Sequence, residues 1–113
     1  MADHINIRKS AATWVVRASG AVIGESQNAL ELSEGDYPAV IYFPRDDVAM
    51  AFLEKTDTST HCPWKGDATY YAISTPSETL PDAAWSYEAP KDDMSKIKDH
   101  IAFYTSRVSV EKL

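Results

Sequence analysis

Thr13-Trp14-Val15-Val16-Arg17-Ala18-Ser19-Gly20-Ala21-Val22-Ile23-Gly24-Glu25-Ser26 decides the fold class. Large apolar residues alternate with smaller or polar ones on either side of Ser19-Gly20. A period of two places alternate side chains on one face of a strand. β-Branched and aromatic residues flanking a Ser-Gly turn predict an antiparallel hairpin.

The same period recurs along the chain. Leu30 and Leu32 share a face within residues 29–33, and the turn cluster Gly35-Asp36-Tyr37-Pro38 precedes a short apolar strand at 40–43. Residues 67–75 read as a long strand that turns at Pro76-Ser77-Glu78 and returns through 79–88, with Trp85 and Tyr87 on one face. A last strand is expected at 107–110. Two short helices punctuate the strands. Asp46 or Asp47 is placed to cap the first, whose apolar stripe is 48–53, with 56–60 following as loop or a weakly extended segment. Asp92 and Asp93 are placed to cap the second, on which Met94, Ile97 and Ile101 share a face. The expected architecture is mainly β, with roughly seven to nine strands and two short helices.

Composition bounds the function. At 113 residues, 44% hydrophobic and 25% charged, the chain has the size and make-up of one globular domain spanning 1–113. Eleven basic against 17 acidic residues give a net charge of −6, which repels phosphate backbones and argues against nucleic acid as a partner. One cysteine cannot form an internal disulfide. Met1-Ala2-Asp3-His4-Ile5-Asn6 lacks a basic region followed by an apolar run, and no apolar stretch approaches the ~20 residues that cross a bilayer. A cytoplasmic address without membrane association is the expectation.

Chemistry concentrates in Thr60-His61-Cys62-Pro63-Trp64-Lys65-Gly66-Asp67-Ala68-Thr69-Tyr70-Tyr71. Cys62 is a candidate nucleophile or redox thiol, because a nearby cation lowers a thiol's pKa. Adjacent side chains on an extended segment point apart, so His61 is poorly placed to pair with it. Lys65 is better placed if 63–66 fold back as a turn, and His100 is a more distant candidate. Gly66 reads as a turn residue. The histidines and Cys62 form no paired zinc-ligand motif, and the scattered glycines form no phosphate loop. No metal or cofactor is expected. The aromatic set is the stronger signal: Tyr42, Trp64, Tyr70, Trp85 and Tyr87 can converge as a cleft with hydroxyl and indole donors. Lys65, Arg45 and Arg17 are the candidate anion clamps.

The segments around Trp14 and Tyr42, the Cys-Pro-Trp-Lys-Gly run and Ala84-Trp85-Ser86-Tyr87-Glu88-Ala89-Pro90 together resemble the domain of unknown function 427 family. The resemblance runs over nearly the whole chain, in order. It implies a β-tent, or Mss-four-like, architecture in which two antiparallel sheets lean together along one edge. Members are mostly small bacterial proteins. Relatives of the architecture carry paired Cys-x-x-Cys motifs for zinc; this chain has none, so packing alone must hold its sheets. One label for the family is nucleotidyltransferase domain, but no Gly-Ser followed by a spaced Asp-x-Asp is present to hold two metals. Family motif positions matched here are Cys62, Pro63, Lys65, Gly66, Tyr70, Trp85 and Tyr87.

Three functional readings follow. The leading one is a small-molecule binding domain, its ligand held by Tyr42, Arg45, Trp64, Lys65, Tyr70, Trp85 and Tyr87 and carrying an anionic group. The second is an enzyme in which Cys62 and Lys65 are catalytic, or one of nucleotidyltransferase type. The third is a non-catalytic interaction module, monomeric or a homodimer through an edge strand such as 107–110.

Overall fold

A computed structural model of the chain describes residues 4–113; Met1 to Asp3, part of the stretch read for a leader, lie outside them. Ten strands occur among the described residues. They are β1 (Ile5–Lys9), β2 (Trp14–Ala18), β3 (Ala21–Ser26), β4 (Leu30–Glu34), β5 (Val40–Tyr42), β6 (Leu53–Cys62), β7 (Gly66–Ser74), β8 (Thr79–Ser86), β9 (Ile101–Phe103) and β10 (Ser109–Lys112). All named pairings are antiparallel, in the orders β1-β4-β5, β10-β2-β3 and β6-β7-β8-β9. The mainly β, antiparallel architecture is the one the period-two pattern predicts. Ser19 and Gly20 both have positive φ, 50° and 81°, the combination a tight two-residue hairpin turn requires.

One pair of residues joins two of the sheets. Phe43 and Ile101 exchange reciprocal main-chain hydrogen bonds of 2.8 Å, so β5 and β9 meet along a seam. The sheets on either side of that seam lean together over a core of Leu32, Tyr42, Tyr70, Tyr87, Met94 and Ile97. The opposite face of β7–β9 carries a second core, in which Tyr71, Ile73 and Phe103 pack against Val16, Ala18 and Ile23 of the β10-β2-β3 sheet. Strand alternation explains the division. Tyr42 and Phe43, Tyr70 and Tyr71, and Ala102 and Phe103 are neighbours in sequence, and each pair sends one side chain to each core.

The two expected helices are 3₁₀ turns instead. The first is split into Arg45–Asp47 and Met50–Phe52, with no side-chain cap on either. Tertiary contacts to β3 override the helical pattern. Asp47 accepts a 2.6 Å hydrogen bond from Ser26 Oγ, Val48 bridges Gly24, and Ala49 N–H donates to Ile23 O at 2.8 Å. Gly24 permits this approach, since a Cβ there would stand 2.9 Å from Asp47 O. The second turn, Asp92–Ile97, also lacks a side-chain cap and buries Met94 and Ile97, which share a face at three residues per turn. Ile101 belongs to β9 rather than to that turn.

Residues 56–60, expected as loop or weakly extended, are extended and lie within β6, which is held by its pairing with β7. Its register breaks between Lys55 and Ser59, and there Thr56 and Thr58 hydroxyls each donate to Asp82 at 2.6 Å. β1 is an additional strand, and β10 begins two residues later than expected because Arg107 sits in a turn closed by its N–H to Tyr104 O at 2.9 Å. No helix among the described residues is long and apolar enough to cross a membrane.

Phe43 is fully buried and meets Phe103 edge-on at 5.6 Å between ring centroids. Phe43→Ala removes that contact beside the seam. It is expected to cost about 3–5 kcal/mol, measured as a lowered urea midpoint at unchanged m-value.

Candidate functional site

Parity along β5, β7 and β8 assembles the site. Tyr70 and Trp85 stand opposite each other in register, and Ala102 of β9 flanks Trp85 on its other side. Tyr42 reaches the same face from β5, and its ring meets Trp85 edge-on at 6.4 Å. Tyr104, just beyond β9, contacts Trp85 with centroids 4.5 Å apart and stacks on Tyr70 at 6.4 Å. Tyr87 follows β8 on the same face. These five rings border one cleft of about 650 Å³, with Leu32, Val40 and Pro38 as its aliphatic wall and Tyr37 at the rim.

The hydroxyls fall into two hydrogen-bonded sets. Trp85 Nε1 donates to Tyr42 OH at 3.4 Å, Tyr70 OH and Tyr104 OH are 3.2 Å apart, and Thr60 Oγ1 lies 3.0 Å from Tyr70 OH. Tyr87 OH has no hydrogen-bond partner among the described residues, yet no side-chain polar atom there is both sealed from solvent and unpaired. It therefore looks into the cleft. Burial pushes the Tyr42 and Tyr87 hydroxyls well above their ordinary pKa of 10. Burial, with the hydrogen bond to Tyr70, raises Tyr104 to about 12. At neutral pH these three phenols are protonated, so they offer hydrogen bonds rather than general-base chemistry.

Lys65 closes one end. The β6–β7 turn that carries it is held by Lys91 N–H donating to Lys65 O at 3.0 Å. Gly66 adopts φ +115°, as the turn reading requires. The Lys65 side chain is nearly buried, its Nζ 2.8 Å from Glu34 Oε1 and 5.9 Å from the Tyr87 ring centre. Glu34 Oε2 in turn lies 3.7 Å from His4 Nε2.

Five sequence-predicted residues thus line one cleft: Tyr42, Lys65, Tyr70, Trp85 and Tyr87. Trp64 lies outside it, half-exposed at the β6–β7 turn with its ring edge-on to His4 at 4.9 Å. Arg45 lies on the other face of the sheet. It donates to Tyr71 OH (3.2 Å), Ser86 Oγ (3.2 Å), Glu88 Oε2 (3.1 Å) and Asp99 O (3.0 Å), so all but one of its N–H donors are used within the fold. Arg17 is exposed and 3.8 Å from Glu111. Cys62 is half-buried at the end of β6, packed against the core that contains Tyr42 and Tyr87. The cations expected to tune it are directed elsewhere: Lys65 to Glu34, His61 to Asp67 at 2.7 Å, and His100 to Lys98 O at 3.0 Å. Among the described residues, no three His, Cys, Asp or Glu side chains group as a metal site.

Sequence reasoning missed Tyr104 and Glu34. Tyr104 follows Ala102 at a spacing of two, a signal hidden because Ile101 was read as helical. Glu34 occupies the last position of β4, where sequence offers no sign that a lysine thirty-one residues away will reach it.

The family model for the domain of unknown function 427 (DUF427) matches residues 6–112. The chain belongs to that family. The comparison with curated proteins returned no match. In this DUF427 chain, the cleft and the Arg45 cluster lie on opposite faces of the β6-β7-β8-β9 sheet, so the two polar systems do not share a surface.

The Arg45 cluster has a titratable signature. Tyr71 OH donates to Glu88 Oε2, which, with the charges of Lys55 and Arg45, holds the Glu88 carboxyl below its ordinary 4.5 despite partial desolvation. A depressed carboxyl stabilises the fold above its unfolded-state pKa, and the benefit disappears as pH falls through the folded-state value. The melting-temperature gap between the native chain and Glu88→Gln should therefore be widest near neutrality. It should close progressively below pH 4.5, the ordinary value from which the carboxyl is depressed. Thermal melts across that range read it directly.

Proposed function

We propose that this chain is a small-molecule binding domain whose ligand occupies the cleft between β5 and β7–β9. The observation that carries the reading is the convergence of four phenols and an indole, from separate strands and a turn, around one space of about 650 Å³. Tyr42, Tyr70 and Tyr87 belong to the core beneath the cleft, whereas Tyr104 is more than a third exposed, Trp85 is only partly buried, and the Tyr87 hydroxyl is unspent. Aromatic walls with a few fixed polar groups are the usual make-up of a ligand pocket.

The polar groups also indicate the ligand's charge. Lys65 is already matched by Glu34 at 2.8 Å, so the cleft presents a compensated pair rather than a free cation. Displacing Glu34 from a nearly buried ammonium would leave a desolvated carboxylate to rehydrate. This supports a neutral, hydrogen-bonding ligand with a flat or apolar body in place of the anion expected from Lys65 and Arg45 alone. A catalytic Cys62 draws no comparable support, since its candidate partners are engaged elsewhere.

A thermal-shift panel of nucleotides and neutral metabolites tests the reading. A ligand at a hundred times its Kd adds about 2.7 kcal/mol of stability. Tyr87→Phe keeps the wall and removes one hydroxyl, so it should weaken a hit about five- to tenfold. Trp64→Ala, outside the cleft, should leave affinity unchanged. Loss of binding in Trp64→Ala with full binding in Tyr87→Phe would place the ligand elsewhere.

A further inference from the structure

Beside the aromatic cleft lies a second chamber of about 320 Å³. Its walls include Trp14, Ile41, Phe103 and Val110, and its one charged side chain, Glu31, is already paired with Arg8 at 3.1 Å. The two chambers have Pro38, Val40, Trp85 and Tyr104 in common. Pro38 and Val40 belong to the β5 side of the seam, and Trp85 and Tyr104 to the β8–β9 side.

The seam itself explains why they adjoin there. β5 and β9 are hydrogen-bonded only through Phe43 and Ile101. Ile41 and Phe103 hold the next places in register, and the ladder does not continue to them. Tyr42 and Ala102, lying between, are paired to Leu30 and Trp85 on their outer sides. Antiparallel alternation then turns the main-chain amides and carbonyls of Ile41 and Phe103 towards the seam. The sheet edge is unzipped beyond its first pair, and the smaller chamber, lined by Ile41 and Phe103, opens on that split beside the aromatic cleft.

We infer that the two chambers are subsites of one ligand, an amphipathic molecule with a neutral polar or aromatic head and an unbranched apolar tail. The inference rests on the cleft being a ligand site, and it adds the class of ligand. The head lies among Tyr42, Tyr70, Tyr87 and Trp85, beside the compensated Lys65–Glu34 pair. The tail passes the edge of Trp85 and Val40 into the chamber of Trp14, Ile41, Phe103 and Val110, which offers it no unmatched charge. A hydroxyl or amide just past the junction, at the mouth of the apolar chamber, meets the unzipped main chain of Ile41 and Phe103.

The tryptophans report on this division. Trp85 borders both chambers, Trp14 only the apolar one, and Trp64 neither. Fluorotryptophan-labelled protein would be titrated with phenol and with para-ethyl-, para-butyl- and para-hexylphenol, read by fluorine NMR. Phenol should shift Trp85 alone. Lengthening the tail should tighten binding about fourfold per buried methylene and bring Trp14 into the response, with Trp64 unmoved. Val110→Phe, which narrows the apolar chamber, should abolish the gain with tail length while leaving phenol affinity intact. If phenol shifts Trp85 but longer tails neither tighten binding nor reach Trp14, the amphipathic ligand is overturned and the cleft stands. If no member of the series shifts Trp85, the cleft reading fails, and this inference with it.

Discussion

A single reciprocal pair of hydrogen bonds, Phe43 with Ile101, is the constraint on which the architecture turns. It converts two separate sheets into leaning walls and fixes which side of each wall faces inward. Because side chains alternate, setting Phe43 on one face puts Tyr42 on the other, and the same parity then runs through Ala102, Trp85 and Tyr70. The pair cannot be lengthened into a ladder without closing the space between Ile41 and Phe103. The cleft and its neighbour therefore exist because the join is short.

Charge is handled differently on the two faces. In the cleft, Lys65 and Glu34 neutralise one another beside phenols that burial keeps protonated, so the surroundings offer directional hydrogen bonds with little net field. On the opposite face Arg45 gathers Tyr71, Ser86 and Glu88 and ties them to Asp99, while the Tyr71 hydrogen bond and the nearby cations keep Glu88 ionised until acid takes the pH below its depressed pKa. Ser86 is wholly buried, and its hydroxyl is satisfied by that guanidinium. The second arrangement has the character of an internal brace rather than a receptor, since each group there already has its partner.

Much of this could be read from residue order, and the reasons for the rest are physical. Period-two runs such as Trp14 to Ala18 and Gly66 to Ser74 carry their own evidence, because a strand's faces are written in consecutive residues. Tyr42, Tyr70, Trp85 and Tyr87 were legible as a group for that reason, and Lys65 by its place beside Gly66. Arg45 and Trp64 were grouped with them by residue type alone, and type does not say on which side of a sheet a side chain emerges. The apparent helix after Arg45 failed because Asp47, Val48 and Ala49 bond to β3, a contact between distant residues that local pattern cannot contain. Glu34 and Tyr104 entered the site by the same long-range route.

The interleaving of Tyr70 with Tyr71, and of Trp85 and Tyr87 with Ser86, has a consequence for how such a domain diversifies. Binding positions and scaffold positions occupy alternate codons of the same strands, separated in space by one thickness of backbone. Substitutions at every second codon can rewrite what the cleft accepts while the brace behind it keeps its residues. A one-residue deletion within β7 or β8 exchanges the two sets at once and forfeits both. Relatives that differ in ligand should thus differ by point changes along these strands and by length only in their turns.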